Sequence, residues 1–388
     1  MRLERQWELL DRIASAGPRM KGLQGPDSVV LPSSVYTDPD RFADEQRLFR
    51  RTPAYFGLSA DLPAPGDHDT ATFGGVPVLV VRQGDGSLRA MVNACRHRGA
   101  PVIEPGASGG GLSSIQCQYH AWTYDLDGRL RTRPGAAGAF DDVSINCDLH
   151  QVQVVEGHGL IFVRVDPPVG APALDIDEIL AGTRDDFLDF DMVGQTLVER
   201  RTRTWDLNWK LILDTFMESY HIRTLHRDTI APYFNSDSMV YEPFGHHMTA
   251  TAFRRDILNE LDKPPAERRL LPRATVQYFL LPNGLLSHQI DHWEVWRIEP
   301  VSIDSTRTVT SIYATTPGGP QPDVDDGVRA HLSKNLQILM SVVGTEDFPM
   351  MEQIQANLRS GALPEVVHGR NEPALAHFHR SIQAMLDG

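Results

Sequence analysis

The sequence predicts an α+β protein of two domains, the first all-β and the second mixed. Three observations carry that expectation. The chain is 388 residues long, which is too long for one ordinary core. Between residues 52 and 168 short β-type runs alternate with glycine turns, the pattern of stacked hairpins. Beyond a Pro/Ala/Gly-rich linker from Pro167 to Ala173, helical patterns and β-type runs are mixed. The boundaries read as a helical segment over 1–51, an all-β domain over 52–168 and a mixed domain over 169–388.

Each element follows from local chemistry. Asp38-Pro39-Asp40 can cap a helix running through Phe42, Glu45 and Leu48. Val76 to Val81 reads as a strand, and Gly84-Asp85-Gly86 as a turn into Leu88 to Val92. Trp122 to Leu130 contains the Asp127-Gly128 hairpin signal. Gly159 to Val165 reads as the last strand of the domain, closed by Asp166-Pro167-Pro168. In the second domain Thr196 to Thr204 is strand-like and Asn208 to Leu225 is helical in pattern. Thr249 to Phe253, Thr275 to Leu280, His292 to Ile298 and Thr308 to Ala314 follow as strands. A long helical pattern runs from Asp325 to Leu358.

Composition excludes several function classes. No apolar run approaches the roughly 20 residues of a membrane span. The stretch Met1 to Glu8 carries acids and lacks the apolar core of a signal peptide, so a cytoplasmic protein is expected. A net charge of −14 argues against nucleic acid, which selects basic surfaces. Three cysteines cannot build a disulfide framework. Cys147 stands apart from the other two and reads as a buried, inert thiol.

Two constellations carry chemistry. Cys95-Arg96-His97 is followed after nineteen residues by Cys117-Gln118-Tyr119-His120. Two thiolates for one iron and two imidazoles for the other are the ligand set of a Rieske cluster. Tetrahedral zinc is the competing reading. Against zinc stand the tight Cys-x-His spacing, the aromatic residues Tyr119 and Trp122 around His120, and the hairpin surroundings. The second constellation is Glu218-Ser219-Tyr220-His221 with His226. Asp214, Glu218 and His221 are spaced by four and three and share one face of a helix. His226 lies about 140° further round an ideal helix, so a shared metal requires a break, expected at Arg223-Thr224-Leu225. Simple amphipathic packing around Leu211, Phe216 and Met217 would leave two histidines and two acids unexplained. His246, His247, His288 and His292 read as core or pocket residues, and Trp293 and Trp296 as packing on opposite faces of a strand.

The run Cys95-x-His97-Arg98-Gly99-Ala100-Pro101, then Cys117-x-Tyr119-His120-x-Trp122-Thr123-Tyr124, resembles the N-terminal domain of the Rieske non-haem iron oxygenases. Their gap between the two motifs is a few residues shorter. Asn208-Trp209-Lys210 with Asp214, Glu218, His221 and His226 resembles the iron-binding helix of the same family. Glu346-Asp347-Phe348-Pro349 resembles the segment that supplies the carboxylate, which makes Asp347 the third ligand and Glu346 the fallback. The resemblance spans residues 40 to 360. It implies a Rieske [2Fe-2S] domain and a helix-grip catalytic domain, an antiparallel sheet round a long helix. It further implies a mononuclear Fe(II) held by His221, His226 and Asp347, with O2 as cosubstrate. Glu218 stands where most relatives carry the Asp that bridges the two metal centres, and relatives acting on quaternary amines share that change. Asp214 would orient a ligand histidine from behind. His120 would come from a neighbouring subunit of a head-to-tail homotrimer.

The chain lacks a nucleotide-binding glycine motif between strand and helix, because Gly106 to Gly111 lies between the two Cys/His motifs. Electrons from NAD(P)H must therefore arrive through a separate reductase, with or without a ferredoxin. The expected activity is hydroxylation of a small organic substrate, aromatic by default. Demethylation or hydroxylation of a quaternary amine is the alternative. Met217, Phe234, Phe244, Met248, Phe279 and Trp293, or their neighbours, are the expected pocket lining. A Rieske electron carrier would leave the whole of 169–388 idle, and a zinc-stabilised interaction protein would explain less still.

Overall fold

The computed structural model describes residues 1–16, 23–135, 137–315 and 324–388. The chain divides into two compact units, one of residues 46–179 and one of residues 1–45 with 180–388. The segment read as 1–51 is shared between the two units, and the boundary falls inside the helix Pro39–Arg51. The reason is tertiary. Val29–Pro32 pairs as an antiparallel strand with Glu365–His368, and Val35 and Tyr36 pack on Leu211 and Leu358.

The unit 46–179 is all-β. Its seven-stranded sheet runs in the order Ala54–Leu58, Leu160–Arg164, Gln151–Gly157, Leu88–Val92, Val76–Arg82, His68–Phe73, Ser108–Gly109. A smaller sheet holds Ile115–Gln116, Thr123–Tyr124 and Leu130–Thr132. Because strand side chains alternate in direction, Val78 and Val80 enter one core with Phe56, Phe73 and Ile161. Leu79 and Val81 enter a second core with Met91, Cys95, Cys117, Trp122 and Tyr124. Both faces of this sheet are covered, so Val76–Arg82 is an apolar run rather than an alternating one. Cys147 is buried in the second core, where an apolar thiol belongs.

The other unit is built on a second seven-stranded antiparallel sheet. Its order is Gln195–Trp205, Ser305–Thr315, His292–Ser302, Gly284–His288, Ala274–Leu280, His247–Arg254, Phe234–Phe244. Six strands form a simple meander, and the first strand in sequence closes the edge beside the last. The helix Asp326–Val342 packs against Ser305–Thr315 and Gln195–Trp205. The sheet also contains the strands Phe234–Phe244 and Gly284–His288, which the sequence pattern did not mark.

Two helices differ from expectation. The pattern Asn208 to Leu225 is an α-helix only over Trp209–Phe216, capped by the Asn208 side chain on Lys210 N–H at 3.1 Å. It stops at Met217, well before the expected break at 223–225. The Glu218 carboxylate accepts from the backbone N–H of Tyr220 and of His221, which caps a fresh short turn over His221–Arg223. Asp214, Glu218 and His221 therefore do not share one helical face. The C-terminal pattern is also interrupted. Asp326–Val342 and Phe348–Arg359 are α-helical, and Val343–Asp347 between them is a π-turn. Pro349 has no N–H to give to Thr345, and the Phe348 N–H reaches back to Val343 O instead.

Candidate metal centres

In the all-β unit the two Cys/His motifs form matching loops. Cys95 N–H donates to Ala100 O at 2.8 Å, and Gly99 N–H to Cys95 O at 2.8 Å. Cys117 N–H donates to Trp122 O at 2.9 Å, and Ala121 N–H to Cys117 O at 3.0 Å. Gly99 and Ala121, fourth after each cysteine, both have positive φ, +78° and +55°. Glycine takes that conformation freely and alanine only under strain.

These loops bring four donor groups together. His97 Nδ1 and His120 Nδ1 are 3.2 Å apart, so both imidazoles present the same atom to one point. Cys95 and Cys117 are buried and free of any disulfide. The Tyr124 hydroxyl accepts from Arg96 N–H at 3.1 Å and lies 3.2 Å from Cys95 Sγ. Trp122 stacks on His97 at 5.0 Å and Tyr119 lies against His120 at 3.8 Å. A donor set of two buried thiols and two less buried imidazoles fits a [2Fe-2S] cluster. His120 is exposed, leaving an imidazole edge available to an electron-transfer partner.

In the other unit the structure brings His221, His226 and Asp347 together, with one donor atom of each within 4.8 Å of the others. Asp347 Oδ1 is 2.9 Å from His226 Nε2 and 3.5 Å from His221 Nε2. The far nitrogens are held by carboxylates, His221 Nδ1 by Glu218 and His226 Nδ1 by Glu346 at 2.7 Å. Thr229 Oγ1 donates to Glu346 at 2.9 Å and Thr215 Oγ1 to Asp347 at 3.2 Å. Burial disfavours a charge on His226, but hydrogen bonds and charges from Asp347 and Glu346 outweigh it and raise its pKa. Glu346 and Asp347, consecutive residues of the π-turn, reach opposite nitrogens of one imidazole. Two histidine nitrogens and one carboxylate oxygen match the donor set of non-haem Fe(II).

Asp214 lies elsewhere. Its carboxylate accepts from Tyr36 Oη at 2.7 Å and sits 3.1 Å from His379 Nε2. The expectation that it orients a ligand histidine is corrected: Glu218 and Glu346 have that contact. The adjacent acid pair Glu346-Asp347 was the signal for Glu346, but its contact with His226 joins residues 120 apart in the chain.

Beside the triad lies a cavity of about 770 Å³. Of the six residues named for the lining only Phe234 faces it, although neighbours of the named residues, Phe216 and Tyr233 among them, do line it. Trp293 points to the opposite sheet face from His292 and Glu294, which do line it. Met248 and Phe279 are cross-strand partners in the core further along their strands. Met217 is buried, and Phe244 borders a separate cleft. Thr275, Gln277, Gln289, Arg254 and Asn335 make the wall more polar than expected. Among the other histidines, His288 and His292 are buried, His247 Nδ1 accepts from Leu281 N–H, and His246 is exposed. Trp293 and Trp296 are both fully buried packing residues.

An all-β unit with paired Cys/His loops, and a second unit whose turns bring His, His and Asp to one pocket, define a class: an iron-dependent oxidoreductase with its own electron store. Comparison with known proteins agrees. Residues 194–388, half of the chain, match the family model described as ring hydroxylating alpha subunit (catalytic domain), and residues 53–141 match the Rieske [2Fe-2S] domain. The chain belongs to this family, the Rieske non-haem iron oxygenases. It is similar to the glycine betaine monooxygenase oxygenase subunit of Chromohalobacter salexigens, 29% identical over 72% of this chain and 70% of that protein. It is also similar to the anthranilate 1,2-dioxygenase large subunit of Acinetobacter baylyi, 32% identical over 60% of this chain and 47% of that one. Among solved structures, a quaternary ammonium Rieske monooxygenase shares the fold with a TM-score of 0.76. It is 21% identical, covering 97% of this chain and 98% of that one. The family's cofactors are a Rieske [2Fe-2S] cluster and mononuclear Fe(II), with O2 as cosubstrate and NAD(P)H electrons delivered by a separate electron-transfer partner. Among the described residues no helix is long and apolar enough to cross a membrane.

Proposed function

We propose that this chain is a terminal oxygenase that hydroxylates a small organic molecule. In this reading Cys95, His97, Cys117 and His120 hold the cluster, and His221, His226 and Asp347 hold Fe(II). The observation that carries it is the convergence of the three donor atoms within 4.8 Å on the wall of a cavity of about 770 Å³. His221, His226 and Asp347 would hold the metal as three protein ligands beside the cavity that takes the substrate. When bound, the iron would supply oxygen activation and the cluster the electrons for it, one at a time.

The side chains prepare the site. Glu218 and Glu346 hold the Nδ1 protons of His221 and His226, which turns both Nε2 lone pairs toward the metal position. His226, whose pKa is raised, must release its proton to become a ligand, so iron binding weakens as pH falls through that range. Glu218 is also the residue through which electrons would pass, bridging His221 to His120 of a neighbouring subunit in a homotrimer. The exposed edge of His120 suits that role. Asp214, with no contact to the ligands, supports the helix end rather than the metal. A flavin reductase, with or without a ferredoxin, would deliver the electrons in the cytoplasm. The substrate is an aromatic compound or, as a second reading, a quaternary amine. The second is favoured by Glu218 at the bridging position and by the similarity to a glycine betaine monooxygenase.

The test is an EPR spectrum of anaerobically reduced protein exposed to nitric oxide. The reading expects a reduced Rieske signal together with a high-spin iron–nitrosyl signal. A Rieske signal alone in iron-replete protein would leave only an electron carrier, and silence in both would return zinc. Asp347→Ala should lose the nitrosyl signal and keep the Rieske signal. Unchanged mononuclear iron in that variant would move the ligand to Glu346.

A further inference from the structure

Nearly every charged side chain around the cavity is answered within the protein. Glu218 is taken up by His221, and Asp347 lies between His221 and His226. Asp291 has His292 Nδ1 at 2.6 Å and His331 Nε2 at 3.1 Å. Glu294 accepts from Gln289 Nε2 at 2.9 Å. Arg254 is different. It ends the strand His247–Arg254 and lines the same cavity. Its guanidinium lies over the Phe234 ring at 5.2 Å, and its Nε is buried without a hydrogen-bond partner. No described carboxylate forms an ion pair with it.

The contact with Phe234 is a ring contact rather than a hydrogen bond, and the buried Nε–H is left without an acceptor. A buried donor without an acceptor is costly, and a cationic one more so. The group that matches this planar fork, in charge and geometry, is a carboxylate.

We propose that Arg254 is the anion subsite of the cavity and that the substrate is a small organic carboxylate. This rests on the reading of the cavity as the oxygenase's substrate site. The carboxylate pairs with Arg254, while Ile230, Tyr233 and Met239 pack the carbon skeleton that extends toward His221 and His226. A neutral hydrocarbon would leave the guanidinium as unanswered as it is now.

The experiment is calorimetry on the iron-loaded, anaerobically reduced protein with matched pairs: benzoate and benzamide, phenylacetate and phenylacetamide, pentanoate and pentanamide. The acids should bind about tenfold or more tighter than their amides. Arg254→Gln should erase that preference, weakening the acids by roughly 10- to 100-fold, with an intact iron–nitrosyl signal. Should that variant fail to fold, Arg254→Lys decides, because it keeps the charge but loses the fork and should weaken the acids several-fold. Amides binding as well as acids, no binding by any acid, or unchanged acid affinity in the variants would each overturn the proposal. A wild type with no nitrosyl signal would instead overturn the oxygenase reading alone, since the acid–amide preference is measured independently of that signal.

Discussion

His288 packs against Phe190 at 4.5 Å and Trp293 at 5.1 Å, with its Nδ1 buried and unpartnered. Burial pushes its pKa down to about 3. The folded protein therefore holds it neutral, while an unfolded chain protonates it near its ordinary value of about 6.5. Below that value the unfolded state binds the extra proton, and stability falls with pH until the folded pKa is passed. At pH 5 the loss is about 2 kcal/mol. His288→Phe removes both the titration and the unsatisfied nitrogen, so the wild type should lose about that much more stability than the variant between pH 7.5 and 5. Urea denaturation at the two pH values measures it, and equal losses would show that His288 does not titrate on unfolding. Comparing the two proteins cancels the iron ligands, which titrate in both. At this scale much of the site is legible in sequence, because thiols and imidazoles at such spacings have few other uses. Asp214 was not, since its partners Tyr36 and His379 lie 178 and 165 residues away. Arg254 was not either. Its meaning comes from lacking a partner, which only packing reveals.

Periodicity found most strands and the positions of both ligand-bearing helices, yet missed how each one breaks. Near His221 the cause is a side chain: the Glu218 carboxylate captures two backbone N–H groups that a continued helix would use. Near Asp347 it is Pro349 and the widened turn Val343–Asp347. A π-turn is an α-helix with one residue inserted, and this one carries both acids that reach His226, Glu346 and Asp347. Deleting Thr345, whose side chain only bonds back to Ser341 O at 2.8 Å, should return the turn to α-geometry. Helix content by circular dichroism should stay constant while mononuclear iron affinity falls by about 10- to 100-fold, the usual effect of disturbing groups that orient a metal ligand. Full iron occupancy in the deletion variant would mean that the turn is not what aims the two acids.

The path of the chain through the molecule is the part the sequence concealed most completely. Residues 1–45 return to the unit of 180–388 through contacts that no local pattern signals. Glu45 is the clearest of them. It is 1% exposed and accepts from Lys210 Nζ at 2.6 and 2.8 Å, from Trp209 Nε1 at 2.8 Å and from Arg41 Nε at 3.1 Å. Burial lowers the pKa of Lys210 against the raising effect of Glu45, so the pair is held together at a desolvation cost. Such a pair adds little over a well-packed apolar one, but removing one partner leaves the other charge buried. Lys210→Met should therefore destabilise the unit by about 3 kcal/mol, the low end of the roughly 3–5 range, because Arg41 still faces Glu45. Combining it with Glu45→Gln should recover part of that loss, since a neutral amide can still accept from Trp209 without an unpaired charge. Urea titrations of the two variants, read by near-ultraviolet circular dichroism, measure both steps. A loss below about 1 kcal/mol in the single variant, the scale of an exposed pair, would mean that water reaches this contact. In that case the strand pairing of Val29–Pro32 with Glu365–His368 and the Tyr36–Asp214 hydrogen bond would be what anchors the N-terminal segment beside the helix that leads into the metal site.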